Sequence, residues 1–470
     1  MKNRTIGVAL LGLGTVGLGT YRVLKAQRGE MIYKTGAQLL LRWILVRNKE
    51  KAAAKVDEPE LITDRFDDIL NDDQVEIVIE LIGGTTVAGE YIEAALRAGK
   101  HVVTANKDLI ASDHGRLMDL AKENGCDLMF EAAVAGAIPV IAPLKQSLAA
   151  NHLSEVMGIV NGTTNFILTR MEQEGMEFGE ALALATELGY AEADPTADVE
   201  GMDAARKVAI MASIAFNSRV SVEDVWTEGI TKITADDIRY AQEMGCCIKL
   251  IGMAHSDGSS IEAYVAPMLI PKRHPLASVN DSYNAVFVRG DAVEDAMFQG
   301  RGAGELPTAS AVVGDVFDVA RNIVHECNAR ISCTCYKHLP VVRMEDVYSR
   351  YFLRVEVEDR IGVLAELADV FARHLVSVDQ IIQKQRPISL QPSETRQESC
   401  ASKAGQGSLC TQAESELPGT EIVVITDVVR EGAFRRAVQC ISDKKGTRRI
   451  CSIIRVYTSD ERMKAEGNRR

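Results

Sequence analysis

A glycine motif near the N-terminus, Gly12-Leu13-Gly14-Thr15-Val16-Gly17, constrains the fold of this 470-residue chain most strongly. It follows an apolar stretch, Thr5–Leu11, that predicts a strand, and it opens a stretch with helical spacing, Val16–Gln27. Glycines in this pattern allow a tight turn, close approach of the backbone to a pyrophosphate, and close packing of the helix on the strand. The N-terminus of the helix offers free N–H groups and partial positive charge to phosphates. The six residues of the motif are therefore predicted to bind a dinucleotide.

Apolar strands and helices continue to alternate up to about residue 130. The predicted strands are Leu39–Val46, Val75–Ile82, His101–Thr104 and Asp127–Phe130. The predicted helices are Glu90–Ala98 and Ser112–Asn124, the second with a serine cap. Near-continuous apolar strands separated by helices are typical of a parallel sheet that is covered on both faces. We expect an α/β protein whose residues 1–130 form a Rossmann doubly wound sheet, with a return helix near 312–340.

Polar residues follow the predicted strands at their carboxyl ends, where doubly wound sheets bind ligands. After the second strand come Arg47 and Lys49. A carboxylate there would hold the ribose 2′-hydroxyl of NAD, whereas an arginine accommodates the 2′-phosphate of NADP. The sequence therefore favours NADP, although a solvated surface arginine would leave NAD open. Thr85 and Lys107 follow later strands and are candidate contacts for the cofactor, or for a substrate carboxylate in the case of Lys107.

An acidic stretch over residues 185–207 contains the strongest candidates for chemistry. Asp203 and Lys207 are four residues apart, so they share one face of a predicted helix, Met202–Phe216. A lysine oriented by an aspartate suits proton transfer to an alkoxide. Glu192 and Asp198 lie in a predicted loop from which they could reach a ligand ammonium group. From the residues alone, an acidic surface loop with an ordinary helix ion pair stays open as the alternative.

The stretch from Gly189 to Lys207 closely resembles the signature of homoserine dehydrogenases. The resemblance covers roughly residues 5–350 and includes the glycine motif and the segments 80–84, 104–107, 161–165 and 300–310. It implies NAD(P)-dependent, reversible reduction of L-aspartate 4-semialdehyde to L-homoserine in the biosynthesis of threonine, methionine and isoleucine. Two alternatives are another semialdehyde or hydroxy acid as substrate, and a catalytically inactive amino-acid sensor. Both are disfavoured by the intact signature.

The resemblance also implies roles for individual residues. It makes Lys207 the proton donor, with Asp203 and Lys107 beside it, and it assigns substrate binding to Glu192, Asp198 and Lys107. It adds Gly302 to the cofactor contacts. Members of the family bind a monovalent cation, usually sodium, through backbone carbonyls. The matching positions here are Glu131, Val134, Gly136 and Ile138.

Two further regions are expected beyond the dinucleotide-binding sheet. Residues 131–311 read as an α+β catalytic domain, followed by a helix, Val312–Asn328, that returns to the first domain. Residues 350–458 show the order βαβ, loop, βαβ of the ferredoxin-like arrangement. The run Asp359–Leu364 resembles an ACT domain, which implies threonine or another amino acid as effector. The polar segment 386–420 has no aromatic residue and is expected to be a disordered loop.

Composition excludes several other classes. The chain has 66 acidic and 53 basic residues, a net charge of −13 that disfavours a nucleic-acid partner. No apolar run is long enough to span a membrane, and no secretory signal is recognised, so a cytoplasmic enzyme is expected. The ten cysteines match no zinc pattern and are expected to be reduced thiols. The family resemblance suggests a homodimer or homotetramer.

Overall fold

The structure is a computed structural model that describes residues 4–328, 330, 333–385 and 419–458. It divides into two compact units at residues 344 and 345. The disordered loop predicted for residues 386–420 lies outside the described residues up to position 418. In the described ranges, no helix is long and apolar enough to cross a membrane.

The N-terminal region contains a six-stranded sheet flanked by helices. Its strands are β1 (Arg4–Leu11), β2 (Ala37–Leu45), β3 (Ile62–Thr63), β4 (Val75–Glu80), β5 (His101–Thr104) and β6 (Leu128–Met129). Its helices are α1 (Thr15–Gln27), α2 (Met31–Thr35), α3 (Lys49–Ala53), α4 (Phe66–Leu70), α5 (Thr86–Arg97) and α6 (Lys107–Glu123). The strand order is β3-β2-β1-β4-β5-β6 and all pairs are parallel. This is the predicted doubly wound sheet, whose strand order reverses at β1, next to the glycine motif.

Helix α6 begins earlier than the sequence pattern predicts. The side chain of Asn106 accepts a hydrogen bond from the N–H of Leu109 and so caps the helix six residues before the predicted cap, Ser112. Ser112 is not a cap, because its hydroxyl lies within the helix and donates to the carbonyl of Asp108. Because α6 starts earlier than predicted, Lys107 occupies its first helical position, on the carboxyl edge of the sheet.

The second region of the same unit is built on a mostly antiparallel sheet. Its strands are β7 (Leu153–Ile159), β8 (Trp226–Thr227), β9 (Cys246–Ser256), β10 (Ile261–Pro271), β11 (Tyr283–Gly290) and β12 (Glu294–Arg301). Its helices are α7 (Gly162–Glu174), α8 (Phe178–Glu187), α9 (Thr196–Val199), α10 (Met202–Ala215), α11 (Ala235–Glu243) and α12 (Glu305–Val324). The strand order is β12-β11-β7-β9-β10, and β8 pairs parallel with β10.

Helix α12 returns to the first region, as predicted, but with different ends. It begins at Glu305, after Gly304 with φ 130°, and ends at Val324, so residues 325–328 and 333–340 are not helical. Its apolar face shares one core with strand β1 and helix α1. The packing is close, since a Cβ atom on Gly19 of α1 would lie 2.6 Å from the carbonyl oxygen of Glu305. Helix α12, which is distant in sequence, thus completes the core of the dinucleotide-binding region.

The C-terminal unit has its own sheet and core. Its elements are β13 (Tyr348–Glu358), α13 (Val363–Arg373), β14 (Val378–Gln385), β15 (Gly419–Thr426), β16 (Val429–Arg430), α14 (Glu431–Ser442) and β17 (Thr447–Val456). The four longer strands follow the antiparallel order β14-β15-β13-β17. Residues 419 and 420, which the sequence assigned to the loop, belong to β15, because Thr420 pairs with Val357 on β13. Buried rings of Tyr351 and Phe434 stack 4.0 Å apart in this core.

Candidate active site

The glycine motif forms a side-chain-free cradle at the N-terminus of α1. Gly12 has φ 95°, a conformation that L side chains rarely adopt. A Cβ atom on Gly17 would lie 2.2 Å from the carbonyl oxygen of Gly12, so the helix can approach the loop this closely only with glycine there. Around Gly14 a Cβ atom would meet nothing within 4 Å. The motif therefore leaves open space in front of free helix N–H groups, as a pyrophosphate requires.

A buried carboxylate, Glu80, organises the next loop along the sheet edge. It accepts hydrogen bonds from the N–H groups of Ile82 (2.7 Å) and Gly83 (3.0 Å) and from the hydroxyl of Thr104 (2.6 Å). These bonds hold the Gly83-Gly84 turn against β5. Sequence reasoning assigned Glu80 no role; an acidic residue that ends an apolar strand and precedes two glycines is the signal that could have identified it.

Three charged side chains meet at Asp203 on α10. Lys207, one helical turn later, donates to Asp203 Oδ2 at 2.7 Å and to the carbonyl of Val160 at 2.6 Å. Lys107, from the start of α6, donates to the other oxygen, Asp203 Oδ1. Asn161 donates from its amide to Asp203 Oδ2 (2.9 Å) and to Asp198 Oδ1 (2.7 Å). Asp203 thus holds both lysines, and Asn161, which sequence reasoning quoted only as part of the resemblance, links Asp203 to Asp198.

The electrostatics of this cluster separate its two aspartates. Burial opposes the ionisation of Asp203, but the charges and hydrogen bonds of Lys207 and Lys107 outweigh it and lower its pKa. For Asp198, burial raises the pKa, and the negative charge of Asp203 adds to this effect. The pKa of Lys107 is raised, because attraction to Asp203 exceeds the opposing effect of burial. Asp203 is therefore a fixed negative charge between two ammonium groups at neutral pH.

The cluster faces a cavity of about 570 Å³ between the two regions of this unit. Eight predicted site residues line it: Val16, Lys107, Gly136, Glu192, Asp198, Asp203, Lys207 and Gly302. Glu192 is exposed at its edge, and the Asp203 and Lys207 side chains are buried. The cavity therefore brings the predicted substrate and catalytic residues together beside the glycine motif.

Outside the glycine motif, three predicted cofactor contacts are not in the cavity wall. Arg47 is exposed beyond the end of β2, and Thr85 is exposed before α5. Lys49 is exposed and pairs with Asp64 at 3.0 Å. Arg47 and Lys49 lie near the glycine loop, because the N–H of Gly12 donates to Leu45, the last residue of β2. Their contact with a cofactor stays a prediction.

The predicted cation segment makes a tight, buried turn. The Glu131 carboxylate accepts hydrogen bonds from the N–H groups of Val140, Ile141 and Ala142, so this side chain is occupied with holding the turn. Ala135 and Gly136 both have positive φ, 55° and 56°. In the described ranges, no cluster of acidic, histidine or cysteine side chains is arranged for a metal ion. A cation at this turn would have to be held by backbone carbonyls.

Asn284, at the start of β11, was missed by sequence reasoning. Asn284 lines the cavity and is only 1% exposed to solvent. Neither its side-chain oxygen nor its side-chain nitrogen has a hydrogen-bond partner among the described residues. A Cβ atom on Gly302 would lie 2.1 Å from its Nδ2, so glycine at 302 makes room for this amide. A buried amide without partners is costly and marks a place where a ligand could bind. A lone asparagine in a strand carries no sequence signal for this.

A dinucleotide-binding sheet whose carboxyl edge meets a lysine–aspartate–lysine cluster defines an NAD(P)-dependent oxidoreductase. Comparison with known proteins names the family. Residues 12–131 match the model of the homoserine dehydrogenase NAD-binding domain, and residues 139–317 match that of homoserine dehydrogenase.

Homoserine dehydrogenase of Corynebacterium glutamicum is 50% identical over 81% of this chain and 86% of its own length. The Bacillus subtilis enzyme is 40% identical over 96% and 98%. A crystal structure of a homoserine dehydrogenase from Thiobacillus denitrificans, 38% identical, superposes with a TM-score of 0.85 over 97% of this chain and 98% of that one. The chain belongs to the homoserine dehydrogenase family, which confirms the predicted function.

Proposed function

We propose that this chain interconverts L-aspartate 4-semialdehyde and L-homoserine in the cavity, with NADP(H) as the preferred cofactor and Lys207 as the proton donor. The hydrogen bonds of the Lys207 ammonium group support this proposal most strongly. An ammonium group has three donors. Two are used by Asp203 and by the carbonyl of Val160, which leaves one N–H for a substrate oxygen in the cavity.

The residues present fit a bound nicotinamide dinucleotide. The glycine cradle has room for the pyrophosphate, and the unpartnered Asn284 amide beside Gly302 offers a donor and an acceptor deep in the cavity. The cofactor supplies the hydride when it is bound. Lys207 then donates a proton to the oxygen that becomes negative, and the hydrogen bond to Asp203 orients the lysine. Glu192 and Asp198 are proposed to receive the substrate ammonium group, and Lys107 its carboxylate or the cofactor.

A direct assay tests this proposal. Purified enzyme is given L-homoserine with NADP or with NAD, and reduction of the cofactor is followed by absorbance. We expect turnover with both cofactors and a higher kcat/KM with NADP. A well-folded protein that turns over another hydroxy acid but not homoserine would contradict the substrate assignment. Binding of an amino acid without turnover would favour the inactive sensor.

We further propose a sodium ion at the turn formed by Glu131, Val134, Gly136 and Ile138. Among the described residues, the carbonyls of Val134, Gly136 and Ile138 accept no hydrogen bond, so these oxygens are available as ligands. Gly136 also lines the cavity, so a cation would support its wall. The melting temperature should be higher in sodium chloride than in choline chloride at equal ionic strength. Equal values would leave the cation without support.

For the C-terminal unit we propose the ferredoxin-like fold of an ACT domain and the binding of threonine or a related amino acid. The proposal is supported by the βαββαβ order of its elements and by Gly362, whose φ of 93° forms the turn before α13. Deleting residues 346–470 should preserve catalysis and remove feedback inhibition. Inhibition that survives in an active, truncated enzyme would place the effector site elsewhere. A homodimer or homotetramer stays a proposal that light scattering can test.

A further inference from the structure

Cys333 and Cys335, which are separated by one residue, have no role in the proposed dehydrogenase reaction. Both are free thiols and half-buried, and a hydrogen bond joins them. The Cys335 sulfur also lies 3.5 Å from the carbonyl oxygen of Ser213 and 3.8 Å from His114 Nε2, so these two atoms and the Cys333 sulfur are alternative acceptors for its single S–H. Ser213 belongs to α10 and His114 to α6. The pair therefore packs against the two helices that carry Lys207 and Lys107.

The surroundings of the pair are positively charged. Lys145 is half-buried; its Nζ lies 5.1 Å from the centroid of the Phe130 ring, and it makes no ion pair with a carboxylate among the described residues. Arg219, which pairs with Asp119 at 3.0 Å, contributes a second positive charge. A thiolate at Cys333 would be a counter-ion for both.

The titration of the two thiols follows from these contacts. The hydrogen bond from Cys335 and the charges of Lys145 and Arg219 outweigh burial and lower the pKa of Cys333 to about 6. The same hydrogen bond and burial raise the pKa of Cys335. Burial lowers the pKa of His114, so this ring is a neutral neighbour at pH 7. Cysteines that are thiolates, accessible and next to a second thiol are the ones that oxidise reversibly.

We propose that Cys333 and Cys335 are a reversible redox site that reacts with small disulfides such as glutathione disulfide. The Cys333 thiolate attacks one sulfur of the disulfide, which gives a mixed disulfide and releases one glutathione thiolate. Cys335 loses its proton to water and attacks Cys333 Sγ, which releases the second glutathione. Two protein thiols are oxidised to one intrachain disulfide, and one glutathione disulfide is reduced to two thiols.

The test uses the full-length, reduced enzyme with excess glutathione disulfide at pH 7, followed by trapping with iodoacetamide and trypsin. Peptide 331–337, which contains both cysteines, should be recovered unalkylated and about 2 Da lighter than its dithiol form. Dithiothreitol should restore two alkylatable thiols. If both cysteines are still alkylated after prolonged exposure to glutathione disulfide, the proposal is overturned, and this result requires no variant.

Variants assign the two roles. Cys335→Ser should accumulate a glutathione adduct on Cys333, whereas Cys333→Ser should leave Cys335 alkylated. Cys440→Ser, at an exposed cysteine of α14, is the matched control and should react like the wild type. Between pH 7 and 8 the rate at Cys333 should rise by less than about 1.5-fold, because its thiolate is already formed, against about eightfold for an ordinary thiol of pKa about 8.5. A rise of about eightfold, or an adduct forming first on Cys335, would contradict the assignment.

Discussion

The dinucleotide-binding region and the catalytic region each supply one lysine to Asp203, and they do so in different ways. Lys207 stands four residues after Asp203 on α10, and its side chain is 10% exposed. Lys107 comes from α6, 96 residues earlier in the chain, and is 38% exposed. The first ion pair is local to one helix, whereas the second requires the two regions to pack together. The comparison predicts that Lys207 serves chemistry and that Lys107 serves binding.

The largest expected effect follows from removing the buried lysine. Lys207→Met should lower kcat for homoserine oxidation by about 10³-fold, because a positioned proton-transfer group contributes 10²–10⁴-fold. Cofactor binding should change little, since the glycine cradle is untouched. Steady-state kinetics and fluorescence titration with NADPH measure the two quantities. Lys232→Met, at an exposed lysine, is the control that should leave both unchanged. A near-normal kcat in Lys207→Met would contradict the assignment of Lys207 as the proton donor.

Neutralising the aspartate between the two lysines should have the next largest effect. Asp203→Asn keeps the size of the side chain but loses the charge that holds both ammonium groups, so kcat should fall by about 10²-fold. The native pKa of Asp203 is lowered, so its contribution to stability is full above the unfolded pKa of about 3.9 and is lost as the pH falls through the native pKa. The difference in melting temperature between wild type and variant should therefore be constant from pH 6 to 8 and shrink in acid. A difference that already shrinks between pH 8 and 6 would contradict this.

The glycine cradle offers a comparison within one region. Gly17→Ala places a methyl group against the carbonyl of Gly12, so both the melting temperature and cofactor binding should suffer, with KM for NADP rising about 10–100-fold. Gly14→Ala meets no protein atom, so it should raise KM for NADP and leave the melting temperature unchanged. Gly179→Ala, in an exposed helix position, is the control. If Gly14→Ala binds NADP normally, the cofactor does not approach the loop at this point.

The smallest expected effect is at the edge of the cofactor site. Arg47→Asp replaces a cation that could pair with a 2′-phosphate by a carboxylate that could accept a bond from a 2′-hydroxyl. The ratio of kcat/KM for NADP over NAD should fall by about tenfold, whereas Lys49→Ala should change it less, because Lys49 already pairs with Asp64. An unchanged ratio in Arg47→Asp would show that this arginine is only a surface residue.

The features that the sequence predicted correctly depend on local contacts, and most of those it missed depend on contacts between distant parts of the chain. The glycine motif, the parallel strands, and the Asp203–Lys207 pair are set by spacing over a few residues, and each was predicted. The cap at Asn106 was missed because a serine six residues later satisfies the same pattern. The hydrogen bonds of Glu80 to the Gly83 turn and to Thr104, the unpartnered amide of Asn284, and the contact of Lys107 with Asp203 depend on tertiary packing. No periodicity in the sequence encodes them.

Chemical rescue of the two lysine variants separates proton transfer from binding. Lys207→Ala and Lys107→Ala are assayed for homoserine oxidation in the presence of a small primary amine such as ethylamine. If Lys207 transfers the proton, kcat of Lys207→Ala should rise in proportion to the amine concentration, and kcat of Lys107→Ala should not respond. Absence of rescue in a folded Lys207→Ala that still binds NADPH, or equal rescue of both variants, would contradict the division of roles between the two lysines.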